Sequence, residues 1–253
     1  MASYLFQSVI PYNENINIHQ PTVEEVLTSD EYKKSSQIVC MSVRAMFSGI
    51  PRHVDEIEEK YPTTFDMVFS EEMSHMLEEM FKVESLSEVI INSLAYWTHT
   101  HPQDYKILHN SQKIVNESKE WIIDREEFEK FQKVVRAITC YAPNEDLIAP
   151  KGISSSSDRR IEIFENVYKG RLRNQQKINS SLERSIIIAQ ISDGYIPIEE
   201  IKKMNIYHFN KLSEAIAEKD RYRIEWDVYV SSKFMPTTGK LSVPESWRKA
   251  FKI

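Results

Sequence analysis

Residues 185–216 read SIIIAQISDGYIPIEEIKKMNIYHFNKLSEAI, and the punctuation of this stretch decides how the end of the chain folds. Leu182, Ile186, Ile187 and Ile188 cluster behind Ser180 and Glu183, whose spacing is that of a capping box giving partners to the first-turn backbone donors. Gly194 supplies a left-handed closing residue and Pro197 suits the first turn of a following helix. Asn205 stands where it can cap a third helix carrying Ile206, Phe209, Leu212 and Ile216. The stretch therefore predicts a small helical module built for packing, with no catalytic constellation in it.

Working outward, the clearest helix is DREEFEKFQKVVRAI, residues 124–138. There Phe128, Phe131, Val134, Val135 and Ile138 recur at spacings of three and four behind Asp124 and Glu127. Thr22 with Glu25 opens a short helix, and Ser85 with Glu88 opens one over Leu86–Thr98 that ends before Pro102. From Asp30, the run Ile38, Val39, Met41, Val43, Met46 and Phe47 predicts one longer helix stopping at Gly49, and Phe65–Phe81 predicts another. Alternation around Tyr4–Ile10 and Ile16–Ile18 reads as a hairpin, and YKIL and KIV between Tyr105 and Val115 read as a second. The pattern vanishes in YAPNEDLIAPKGISSSS, residues 141–157, then resumes from Asp158 with Ile161, Phe164, Val167 and Leu172. Tyr222, Ile224, Trp226, Val228 and Val230 alternate with Arg221, Arg223, Glu225, Asp227 and Tyr229, which by period alone is a strand. The fold class is thus mainly α, an irregular multi-helix bundle with one or two short β-hairpins. Its expected divisions are 1–140 as an α-rich subdomain with a small β-hairpin, 141–157 as a linker or mobile loop, and 158–253 as a C-terminal helical subdomain.

The chain has 253 residues, 41% of them apolar and 11% aromatic, ample for a core that buries well over half of the unfolded surface. A net charge of -6 argues against a protein whose main business is gripping phosphate backbones, which needs a basic surface. No apolar run approaches the ~18 residues of a membrane span, and the opening MASYLFQSVIPYNENIN lacks the basic-then-apolar order of a secretory signal. Cys40 and Cys140, a hundred residues apart in apparent helices, are expected to be buried free thiols. No fixed-period repeat is present.

Charge is unevenly placed. Residues 54–84 hold ten acids against Lys60 and Lys82, and residues 151–184 hold eight bases against four acids. The functional reading is head-to-tail self-association or steering of a partner, and the alternative is two ordinary solvated helical faces. Glu72 and His75 have the Glu-x-x-His spacing of di-iron bundles, but no other histidine follows a glutamate by three. His99, His101 and His109 are the other metal-ligand candidates, although polar residues at a helix end commonly satisfy free carbonyls. The five glycines never fall as Gly-x-Gly or Gly-x-Ser-x-Gly, which removes phosphate-cradling loops and nucleophile elbows. No catalytic residue, cofactor or metal is expected.

The run from Ser185 to Ile216, with Gly194, Tyr195, Tyr207 and Phe209 in the places of a Gly-Tyr turn and a "tyrosine, x, phenylalanine" helix, resembles the end of tail assembly chaperone-like proteins of phages infecting Gram-positive bacteria. INIHQPTVEEVL and WIIDREEFEKFQKVVRAIT are similar to two further pieces of that family, and Lys240–Ile253, with Pro244 and Trp247, departs from it. The resemblance implies a helix over 222–230. It also implies a non-enzymatic role in the host cytoplasm, holding the tape measure protein and recruiting tail tube protein, with departure before the virion is complete. Partner-binding candidates are Tyr195, Tyr207, Phe209 and Trp247, each with core packing as the alternative, and Arg159, Arg160, Arg171 and Arg173 on the basic helix. Other readings are a permanent structural component of the tail, and a nucleic-acid-associated regulator using the basic stretch 159–177.

Overall fold

The computed structural model describes residues 4–82, 85–178, 182–192, 194–232 and 243–246. Among these, the order of elements is β1 (Val9–Pro11), β2 (Asn17–His19), α1 (Val23–Thr28), α2 (Glu31–Cys40), α3 (Val43–Phe47), α4 (Val54–Lys60), α5 (Thr64–Val68), α6 (Glu71–Phe81), α7 (Leu86–Thr98), β3 (Tyr105–Leu108), β4 (Lys113–Asn116), β5 (Trp121–Ile123), α8 (Arg125–Ile138), α9 (Asp158–Ile178), α10 (Leu182–Ile191), α11 (Ile198–Lys203) and α12 (Ile206–Ser232). The protein is mainly α, with two small antiparallel sheets.

The core forms where α2, α7 and α8 meet. Asp124 accepts a hydrogen bond from the Glu127 amide to start α8, and Phe128, Phe131, Val135 and Ile138 then fall on its buried stripe. Phe65 stacks on Phe128 with centroids 5.3 Å apart, and the Trp97 indole is fully buried with its Nε1 donating to the Ser35 carbonyl. Gln132 Nε2 and Arg136 Nε donate to the carbonyls of Val39 and Cys40, which the end of α2 leaves without helical partners. Helix α8 thereby caps α2 as well as packing on it.

Two predicted long helices are each broken by a serine. Met41 is extended, and Ser42 accepts from the Ala45 amide to begin α3. Ser70 accepts from Met73 to begin α6, after α5 has started on a Thr63–Asp66 capping box. Both expected hairpins form, pairing Ile10 with Ile18 and Ile107 with Ile114. The second gains an unpredicted third strand, β5, in the order β3-β4-β5. Its Trp121 and Ile123 face the core and Ile122 faces out, the period-two signature of a half-buried strand compressed into three residues.

The stretch 141–157 carries no long helix or strand, yet a network fastens it to α3 and α4. Arg44, itself buried, pairs with Asp55 at 2.6 Å and with Glu58, and donates from Nη1 to the carbonyls of Ala149 and Pro150. Ser48 Oγ accepts from the Ala149 amide, and Asp55 accepts from the amides of Gly152 and Ser154. Gly152 turns the chain there with φ +77, a left-handed conformation that favours glycine. Ala149 and Ile153 are buried in the main core. These contacts are those of a packed strap and not of a free tether.

Helices α10, α11 and α12 form a second, smaller core of Ile186, Ala189, Ile201 and Phe209 with Val23 from α1. The start of the chain docks it: the Val23 amide donates to Met204, the Ile206 amide donates to Pro21, and Asn205 Nδ2 donates to Leu5. Asn205 also caps α12, since its Oδ1 accepts from the His208 amide. Residues 222–230 lie inside α12 and are helical. Ser180, read above as part of the capping box of this module, lies outside the described residues.

Candidate functional site

Among the described residues, most of the large apolar side chains left exposed lie after residue 158. Helix α10 shows why. Consecutive helical residues point about 100° apart, so three isoleucines in a row cannot share one face. Leu182, Ile186 and Ala189 turn into the small core, while Ile187 is 57% exposed, Ile191 is 78% exposed and Ile188 lies at the flank. Tyr195 and Ile198 continue the exposed set around the turn into α11. Helix α9 has the same two-sidedness: Ile161 is buried and Phe164 packs on Tyr168, but Ile163 and Val167 face solvent.

The predicted partner residues are scattered across different environments. Tyr195 is 70% exposed, at the edge of this patch. Tyr207 is half-buried, edge-on to Tyr4 at 5.7 Å. Phe209 is 1% exposed and belongs to the core, because its position on α12 faces α1 and α10, and it is not an available contact. Trp247 lies outside the described residues. Arg159, Arg160 and Arg173 are exposed on α9, whereas Arg171 donates at 2.7 Å to the Asp146 carbonyl and clamps α9 to the strap. The acidic run is likewise partly engaged within the fold, Asp55 and Glu58 with Arg44 and Asp66 with Arg125.

A cavity of about 900 Å³ opens where β2, α1, α2 and α7 converge. His19 and His99 stack in its wall with centroids 3.8 Å apart and planes within 10°. The stack exists because His99 caps α7 in a left-handed conformation, φ 50, which swings its ring off the helix onto β2. Gln20, buried beside them, donates from Nε2 to the carbonyls of Tyr4 and Gln7 and leaves its Oε1 unbonded. Glu25, Glu31, Lys34 and Tyr96 are among its other polar lining residues. Burial, then the Glu25 and Glu31 charges, push the Tyr96 phenol up.

His101 is exposed, and His109 packs edge-on to Phe69, so His99, His101 and His109 do not converge. His75 pairs with Glu78 on the outer face of α6. No group of three or more His, Cys, Asp and Glu placed to hold a metal occurs among the described residues. Cys40 is buried and Cys140 half-buried, both free, and burial pushes both thiols up and away from thiolate character.

Burial, and then the neighbouring His99, hold the His19 imidazole below its ordinary value near 6.5. The unfolded chain therefore binds this proton first, so the stability His19 contributes is present above about pH 6.5 and is lost as pH falls towards its folded value. Melting temperature is expected to drop between pH 7 and 5, and His19→Phe, which keeps a ring against His99 but cannot titrate, is expected to flatten that slope. Equal slopes for the two chains would remove His19 as its source.

The His19–His99 pair has no local signal in the sequence, because it joins residues eighty apart. The outer face of α10 was absent from the predicted sites, although the angular spacing of Ile186, Ile187 and Ile191 around the helix marks it. Comparison with protein-family models, with curated proteins and with solved structures gives no match to this chain.

Proposed function

We propose that this chain is a non-enzymatic assembly chaperone that holds amphipathic helices of another polypeptide against the outer face of α10 and the turn into α11. The observation carrying the reading is the exposure of Ile187, Ile188 and Ile191 on α10, whose opposite face is anchored in a core, followed by exposed Tyr195 and Ile198 at the entry to α11. A helix held in this way presents its apolar side to a partner helix, the helix-in-groove mode of recognition. Isolated exposed apolar residues are ordinary, but a run of them marks an interaction surface. The resemblance to tail assembly chaperone-like proteins supplies the partners: a tape measure protein as the long helical client and tail tube protein as the recruited subunit, in the cytoplasm of an infected host.

The test is co-purification of the full chain with the tape measure protein of the same genome, comparing wild type with Ile187→Asp/Ile191→Asp. Each isoleucine buried at an interface contributes about 1–2 kcal/mol, so each is expected to change affinity about tenfold, with helix content retained because both side chains are exposed. Undiminished binding by the double variant would remove α10 as the holding surface. Mass spectrometry of finished particles separates the chaperone from a permanent tail component, which would be retained.

A further inference from the structure

The cleft between β2, α1, α2 and α7 has a volume of about 900 Å³, enough for a drug-sized ligand, and the bonds that hold the fold leave much of its polar lining unused. Glu25 commits Oε2 to the Thr22 capping box, while its Oε1 has no hydrogen bond among the described residues. Glu31 and Lys34 line the same cleft, and neither side chain forms an ion pair there. The Tyr96 hydroxyl and the ring nitrogens of His19 and His99 are likewise without hydrogen bonds among the described residues. Gln20, only 4% exposed, keeps Oε1 as a further unbonded acceptor. A cleft with several unspent polar groups is the usual form of a small-ligand site.

The charge and shape of these groups select the ligand. Glu25 and Glu31, from α1 and α2, both lie near enough to the Tyr96 phenol to act on it, which sets two carboxylates about one aromatic ring. Lys34 is the one lysine or arginine in the lining among the described residues, so the carboxylates outnumber it. The His19 imidazole is uncharged at neutral pH and adds no competing cation. An anion would meet this negative balance unfavourably, and an apolar ligand would strip water from the carboxylates without replacing its hydrogen bonds. A guanidinium suits both features: it gives carboxylates parallel N–H bonds and lies flat on an aromatic ring, whereas an ammonium is a compact, strongly hydrated point charge. We infer that this cleft binds a guanidinium group, of a free small molecule or of an arginine side chain, with Glu25 and Glu31 accepting its N–H donors and the Tyr96 ring against its plane. The cleft is distinct from the outer face of α10 and the inference stands independently of the chaperone reading.

Amide chemical shifts of the full chain, followed at neutral pH during titration with butylguanidinium and separately with butylammonium, test the site. Butylguanidinium is expected to shift residues of α1, α2 and α7 saturably with a dissociation constant on the order of millimolar, and butylammonium to bind about threefold or more weakly. Glu25→Gln keeps the capping box, in which glutamine serves as well as glutamate. It and Glu31→Gln are each expected to weaken binding about two- to fivefold, whereas Lys34→Met is expected to leave it equal or tighter. A third titration, with acetyl-Gly-Arg-Gly-amide, distinguishes the sources: tighter binding than butylguanidinium assigns the site to an arginine-bearing chain, and weaker binding assigns it to a free guanidino compound, either result upholding the cleft. Absence of saturable shifts up to about 20 mM butylguanidinium would overturn the inference. So would equal binding of the two cations, and so would carboxylate variants that bind as the wild type does.

Discussion

Phe209→Ala is expected to destabilise the protein by about 3–5 kcal/mol, the range for removing a fully enclosed phenylalanine ring. The ring sits among Val23, Ile186, Ala189 and Ile201, and so joins α12 to α1, α10 and α11 at once. Apart from this ring, the cluster is held to the rest of the chain by a handful of bonds, Val23–Met204, Ile206–Pro21, Asn205–Leu5 and Asn210–Thr139, and by the Tyr4–Tyr207 ring contact. The loss is therefore expected to fall on the module first. Hydrogen exchange should show α10 and α11 opening in the variant well before α7 and α8. A loss below about 1 kcal/mol would mean that the ring is not enclosed in solution and would return it to the working surface.

Arg44→Met is the other large effect, expected at about 2–4 kcal/mol. Removing one member of a buried charge cluster costs about 3–5 kcal/mol, and the acidic partners here keep some solvent contact, which reduces it. The substitution leaves Asp55 and Glu58 facing each other without a counter-charge and takes a donor from the carbonyls of Ala149 and Pro150. The strap at 144–154 should become accessible to protease while α7 and α8 stay protected. Acid adds a second signature. Burial raises Asp55, but hydrogen bonds from the Ser154 amide, Arg44 and the Gly152 amide outweigh it and hold its carboxyl down at about 2, against an ordinary 3.8. The unfolded chain takes up that proton first, so this stability is present above about pH 4 and is lost as pH falls towards 2. Arg44→Met should flatten that part of the acid-unfolding curve, and a variant as acid-sensitive as wild type would show that Arg44 does not govern Asp55.

What was legible in the sequence was the local chemistry. The Thr22–Glu25 box and the Ser85, Asp124 and Asn205 caps all form where the spacing puts them. The mainly helical class with two small sheets follows from them. What was not legible depended on partners distant in sequence. Ser42 and Ser70 break apparently continuous apolar patterns because core packing turns the chain at those points, and a cap within a periodic run looks like any other polar position. The strand-like alternation at 222–230 was overridden because a capped helix, already nucleated at Asn205, propagates more readily than a lone strand forms. Pro, Gly and Ser in 141–157 signalled irregular backbone correctly, but nothing nearby announced that Arg44, a hundred residues earlier, would hold it. At the candidate surface Tyr195 read equally as a contact or as core and proves exposed, whereas the exposure of Ile187 and Ile191 emerges only once Ile186 is assigned to the core.

The proposed contact is between the outer face of α10 and the apolar helices of another polypeptide. Placing a photo-crosslinking benzoylphenylalanine at Ile191, in the full chain co-expressed with the tape measure protein of its genome, reads that contact directly. Crosslinks are expected from position 191 to apolar positions recurring at helical spacing along the tape measure protein, and are expected to disappear when Ile187 is replaced by aspartate. Crosslinks confined to the chain itself, in cells where the tape measure protein is present, would contradict that contact.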